Sequence, residues 1–68
     1  MTITIKLNGQ EAQVASPSSV VDLIQLKSIP VKFCAVELNG DVVPRAEFET
    51  TFLKEGDAVE LVTLVGGG

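Results

Sequence analysis

Thr2-Ile3-Thr4-Ile5-Lys6-Leu7-Asn8-Gly9-Gln10-Glu11-Ala12-Gln13-Val14 carries a two-residue apolar period on both sides of an Asn-Gly pair. Ile3, Ile5 and Leu7 alternate with Thr2, Thr4 and Lys6, which is the period of a half-buried strand. Asn and Gly both tolerate positive φ, so Asn8-Gly9 is the signal of a tight two-residue turn. Ala12 and Val14 resume the alternation. Residues 2–15 are therefore predicted to form a β-hairpin with one apolar face that another element must cover.

The next segment supplies the cover. Ser16-Pro17 breaks the strand, and Ser19 stands three residues before Asp22, close to a capping box with Asp in the Glu position. Val20, Leu23 and Ile24 fall on one helical face, and Lys27 suits the last turn, where a cation meets the negative helix end. A helix is predicted over 20–27, with Pro30 preventing further extension. Its β-branched start lowers its propensity, so packing must hold it.

Phe33 to Leu38 reads as a third strand, with Cys34, Val36 and Leu38 on one face. Asn39-Gly40 is a second tight turn, Asp41-Val42-Val43 a short return strand, and Pro44 its end. Residues 45–53 are expected to make a short turn or helical piece anchored by Phe48 and Phe52. After a Gly56-Asp57 turn, Ala58 to Val65 is the last strand. Val59 and Leu61 suit the core face, while Val62 and Leu64 suit the other. The order is β-β-α-β-β, a turn, then β. It implies an α+β domain over residues 1–65, a mixed sheet of about five strands packed on one main helix, followed by a flexible tail at 66–68.

The composition bounds what such a domain can do. At 68 residues it is one domain, and a domain this small buries only about 60% of its unfolded surface. A single cysteine permits no intrachain disulfide, and the lack of histidine disfavours a structural zinc site. The 46% hydrophobic content must hold the fold alone. A net charge of -4 without a basic cluster argues against nucleic-acid binding and against an anionic membrane surface. The first residues alternate instead of forming an apolar run, and no stretch approaches a membrane span. With its unpaired cysteine, the chain is expected in the cytoplasm.

Gly66-Gly67-Gly68 carries the chemistry. Three glycines have no side chains and the widest backbone freedom, and extended they reach about 10 Å. A glycine tail alone is a weak signal, because chain ends often hold disordered small residues. Following directly on the last strand of this pattern, it reads as a thread for a narrow enzyme channel. The carboxylate at its tip is ionised at neutral pH and is a poor electrophile until its oxygen is made a leaving group. Reaction with ATP would give an acyl-adenylate, from which a sulfur nucleophile could displace AMP. The chain has no histidine, no cysteine near the tail and no phosphate-cradling loop. It is expected to be no enzyme and to have no cofactor of its own, with partner enzymes doing the chemistry.

Most of the chain resembles the thiamine-biosynthesis sulfur carriers, the ThiS family. The resemblance lies in Ser19-Val20-Val21-Asp22-Leu23-Ile24, Ala35-Val36-Glu37-Leu38-Asn39-Gly40, Val42-Val43-Pro44-Arg45, Leu53 to Val62 and Val65-Gly66-Gly67-Gly68. The helix start is generic; Val-Pro-Arg, Gly-Asp and the terminal Gly-Gly in this order are more specific. The resemblance implies a ubiquitin-like β-grasp fold with the last strand beside the first. It also implies adenylation of Gly68 by an ATP-dependent ThiF-like adenylyltransferase. Sulfur would come from a cysteine desulfurase or other donor, giving a thiocarboxylate that thiazole synthase (ThiG) consumes. Gly67 and Gly68 are the implied functional pair, with Gly66 a third small residue of the thread.

Two related readings share the tail. A small subunit of molybdopterin synthase (MoaD-like) has the same implied chemistry, but such chains are typically longer. A ubiquitin-like protein modifier usually has basic residues before Gly-Gly, whereas Leu64-Val65 stand here. Among other residues, Cys34 reads as a small buried hydrophobe, and Phe48 and Phe52 as core anchors. Arg45 either contacts a partner or caps the turn after Pro44. Val62 and Leu64 are either an exposed docking patch beside the tail or covered core.

Overall fold

The computed structural model describes residues 1–64. Strand β1 (Thr2–Leu7) and strand β2 (Gln10–Ala15) form the expected hairpin. Leu7 and Gln10 close it around Asn8 and Gly9, whose φ values of 52° and 83° are those of a primed turn. Such a turn twists the way paired strands do. Ile3 faces Val14 and Ile5 faces Ala12, so the apolar residues of both strands share one side of the sheet.

Helix α1 (Val20–Leu26) lies against that side, with Val20, Leu23 and Ile24 buried. The capping box at Ser19 and Asp22 is formed. The first free N–H groups are satisfied from outside the helix: Val20 donates to the Thr51 carbonyl at 2.9 Å and Val21 to the Phe48 carbonyl at 3.1 Å. Lys27 is the C-cap, one residue beyond the last helical turn, and Ser28 at φ 60° turns the chain out. A 3-10 turn (Val31–Phe33) follows. Phe33 therefore belongs to that turn and not to the strand, since its N–H donates back to Pro30.

Strand β3 (Cys34–Leu38) and the short strand β4 (Asp41–Val42) pair around Asn39-Gly40, again at positive φ. A second 3-10 turn (Arg45–Glu47) follows Pro44. Phe48 is buried, as expected, but Phe52 is 51% exposed and anchors nothing in the core. The helical piece ends before it reaches Phe52. At Phe52 the backbone is extended and bridges Ser19, so successive side chains alternate and Leu53 takes the buried position.

Strand β5 (Ala58–Thr63) completes a five-stranded sheet in the order β2-β1-β5-β3-β4. It runs parallel to β1 and antiparallel to β3. This is the mixed sheet and single helix of a ubiquitin-like β-grasp. The core joins Ile5, Val20, Leu23, Ile24, Val36 and Val59, all nearly inaccessible, with Phe48 and Leu53 closing one end. Burying each large aliphatic side chain contributes about 1.5–3 kcal/mol, which a 68-residue chain without disulfides cannot spare.

Candidate functional site

The strand that leads to the C-terminus is the central one of the sheet, held between β1 and β3. Alternation along it sends Val59 and Leu61 into the core and Glu60 and Val62 to the face away from α1. Val62 and Leu64 are both about half exposed, at 52% and 54%. They are exposed and not covered core.

Neighbouring strands extend this patch. Ala35 lies opposite Val62, and Glu37 lies opposite both Glu60 on β5 and Val42 on β4. Together with Val36 these residues line a shallow groove of about 160 Å³. Its floor and sides are largely apolar, since Val42 is exposed as well. Two carboxylates stand across the strands from one another at its rim. Like charges directly opposite in a sheet are destabilising. Sequence reading found Val62 and Leu64 but missed Val42, Glu37 and Glu60. Only the cross-strand register brings them to the same place.

Arg45 does not cap the turn that follows Pro44. Its guanidinium donates to the Lys32 carbonyl at 2.8 Å and so ties the second 3-10 turn to the first. Lys32 in turn lies over the Phe33 ring, 5.2 Å from its centroid. The Phe33 carbonyl accepts from the Leu64 N–H, so the Arg45 side chain holds the residue next to the one that pairs with Leu64. Being exposed, it keeps access to a partner.

Cys34 is buried, only 2% exposed, opposite Thr63 on β5. Burial pushes its thiol pKa up, so at neutral pH it is a protonated, shielded thiol and a poor nucleophile. Among the described residues no cluster of His, Cys, Asp or Glu is arranged to hold a metal ion, and no helix is long and apolar enough to cross a membrane. Gly66, Gly67 and Gly68 lie outside the described residues.

The sequence model of the ThiS family matches residues 5–68, from the first strand to the last glycine. The chain belongs to the ThiS family. The crystal structure of the thiamine biosynthesis protein ThiS from Geobacter metallireducens superposes with a TM-score of 0.81 at 38% identity, covering 97% of this chain and 100% of that one. A solution structure of a thiamine biosynthesis protein from the same organism gives 0.83 at 35% identity, with 97% and 88% covered. An uncharacterized protein, ycf40, of Porphyra purpurea is 32% identical over 66 residues, 97% of this chain and 93% of its own length. A thiazole synthase of Paramagnetospirillum magneticum is 29% identical over 62 residues, which are 91% of this chain and 19% of that protein. This ThiS-family chain therefore matches proteins of its own size and also one segment of a much longer one.

Proposed function

We propose that this chain is a thiamine-biosynthesis sulfur carrier whose Gly68 carboxylate is adenylated, converted to a thiocarboxylate and used as the sulfur source of a thiazole synthase. The observation that carries the choice of acceptor is the thiazole synthase relative, in which a segment like this chain accounts for 19% of the length. A carrier segment joined covalently to the enzyme it serves would hold it at high effective concentration.

The chemistry needs only a carboxylate and two partner enzymes. In the first, the carboxylate oxygen of Gly68 attacks the α-phosphorus of ATP, and pyrophosphate leaves. In the second step hydrosulfide attacks the acyl carbon and AMP leaves, so C–S replaces C–O; where a desulfurase persulfide is the nucleophile, the product is an acyl disulfide that a thiol reductant must cleave to release the thiocarboxylate. The chain has no histidine and holds its one thiol protonated in the core, so the acid and base steps are assigned to the partner enzymes. It acts as substrate and carrier, with residues 1–65 as the folded handle and 66–68 as the thread. The groove beside Val62 supports a docking role for the outer sheet face, with Val62, Leu64 and Arg45 contacting the partner. An apolar group would seat between Val42 and Val62, and a cation would meet Glu37 and Glu60.

The test is reconstitution. With ATP, an activating adenylyltransferase of the ThiF type, a cysteine desulfurase with cysteine, and a thiol reductant, the product should donate sulfur to thiazole synthase and co-purify with it. Stable association with a molybdopterin synthase large subunit in place of thiazole synthase would overturn the assignment of acceptor. Isopeptide-linked conjugates on lysines would overturn the carrier role.

A further inference from the structure

The side chain of Asn8 reaches across the sheet to the strand that carries the tail. Its Oδ1 accepts from the Leu61 N–H at 2.7 Å, and its Nδ2 donates to the Leu61 carbonyl at 3.2 Å. Its own N–H donates to the Val59 carbonyl at 2.8 Å. The β1–β5 ladder has its last paired residues at Leu7 and Val59. Asn8 thus adds one more rung in side-chain form, mimicking a backbone amide after β1 has turned away. On the other edge of β5, β3 continues to Thr63, and the Phe33 carbonyl takes the Leu64 N–H.

A related device sits at the first residue of the same strand. Asn39 begins the second Asn-Gly turn, at φ 53° against 52° for Asn8. Its N–H donates to the Ala58 carbonyl at 2.7 Å and its Oδ1 accepts from the Ala58 N–H at 2.9 Å. The two asparagines share conformation and an Oδ1 acceptor for a β5 N–H, but Asn39 Nδ2 donates to Asp57 Oδ1 at 3.0 Å and not to a strand carbonyl. Asn39 grips the first residue of β5, ten residues from Gly68, whereas Asn8 grips the fourth, seven residues away.

We infer that Asn8 is a positioning residue for C-terminal activation, fixing the direction in which β5 delivers the tail to a docked enzyme. This rests on the carrier reading above. A docked carrier reacts only when its carboxylate meets ATP in line. Each residue freed at the root of the thread must be ordered again at about 1–2 kcal/mol, and a misplacement of about 1 Å in a reacting group can cost on the order of a hundredfold. Asn8 touches no reacting atom and works through Leu61.

The experiment compares Asn8→Gly with Asn39→Gly in full-length chain. Glycine keeps the positive φ at both positions and removes only the amide. Adenylation by a ThiF-type enzyme is followed by ATP–pyrophosphate exchange, and amide hydrogen exchange is followed in the free protein. For Asn8→Gly, kcat should fall about tenfold with KM changed less than twofold, since the docking face is intact. Amide exchange should quicken at Leu61. Asn39→Gly should lose comparable thermal stability, quicken exchange at Ala58 and keep its kcat. Asn8→Asp retains the acceptor for the Leu61 N–H but sets a carboxylate oxygen against its carbonyl. It should fall between wild type and Asn8→Gly, and it stands in should the glycine variant fail to fold. Equal kcat values for the two positions, or a change in KM alone, would overturn the inference. If the wild-type chain itself supports no exchange, the carrier reading falls and this one with it. If the wild type is active and the Asn8 variants match it, only the clamp falls.

Discussion

Ser19 and Asp22 satisfy each other at the start of α1: the Asp22 N–H donates to Ser19 Oγ at 3.1 Å, and the Ser19 N–H donates to Asp22 Oδ2 at 2.9 Å. Ser19 also bridges Phe52 through its backbone, so one residue joins the helix start to the segment that closes the core. Ser19→Ala leaves the Asp22 N–H without its partner in the first turn of the helix. Loss of such a cap costs about 1 kcal/mol, and for a domain of this size that lowers the midpoint of thermal unfolding by about 4–8 °C. Calorimetry of wild type and variant checks this. An unchanged midpoint would mean that the packing of Val20 and Ile24 alone fixes the helix start.

Cys34 should prove inert and structural. Its thiol pKa is raised by burial, so the folded state disfavours the thiolate relative to the unfolded chain. The corresponding stability is complete below the ordinary thiol value near 9.0 and is lost as pH rises through the higher folded value. Unfolding free energy should therefore drop above about pH 9 in the wild type and drop less in Cys34→Ala. Cys34→Ser should cost about 1–3 kcal/mol, as an extra buried hydroxyl seeks a partner, and yet support full sulfur transfer. Loss of transfer in a folded Cys34→Ser protein would return this residue to the mechanism.

Much of this was legible because the informative patterns are local. The alternation of Ile3, Ile5 and Leu7, the Asn8-Gly9 pair, and Ser19 before Asp22 each specify an element within a few residues. What was not legible is long-range. Asn8 reads as a turn residue, and nothing near it announces a partner 53 positions away at Leu61. The groove is invisible for the same reason, since it needs Ala35, Val42 and Val62 on one face of three different strands. The parallel pairing of Leu7 with Val59 follows from family resemblance more than from pattern. Phe52 is an apolar residue that the local sequence offers to the core as readily as Leu53; the bridge to Ser19 decides which of the two points inward.

The outer face should separate docking from folding. Val62 is half exposed and faces away from the core. Val62→Asp should therefore change the unfolding midpoint little while raising KM for the activating enzyme about tenfold or more, as expected for an apolar contact near the centre of an interface. Glu37→Gln removes one of two carboxylates that face one another across β3 and β5. It should stabilise the free domain by about 0.2–1 kcal/mol and weaken the same association. Unfolding and binding measured together decide the matter: a Glu37→Gln protein that is more stable and binds normally would show that the pair faces solvent in the complex.

The tail should be dispensable for folding and essential for activation. Leu61 is the last buried core residue among those described. Deleting Gly68 is expected to leave the unfolding midpoint within a degree or two of the wild type, since a change well under 1 kcal/mol moves it little. The same deletion should abolish ATP–pyrophosphate exchange. Gly67→Ala should do nearly as much, because a Cβ enters a channel sized for a bare thread. Normal exchange by the Gly68 deletion would remove the C-terminal carboxylate from the mechanism altogether.

The chemical state of the end group is the most direct test. The available sulfur sites are few: Cys34 is buried and Met1 is a thioether. In the proposed mechanism the α-carboxylate of Gly68 is the group that takes up the sulfur. After incubation with ATP, the activating enzyme and a sulfur donor, the chain should gain the mass of one oxygen-to-sulfur exchange, localised to its C-terminal fragment. The adduct should react with alkylating agents and revert to carboxylate on hydrolysis. A persulfide on Cys34 would instead add a whole sulfur atom at an internal fragment, and a reducing agent would remove it. The two outcomes differ in mass, in position and in response to reductant. Finding the internal persulfide without the C-terminal exchange would overturn the proposed chemistry while leaving family membership untouched.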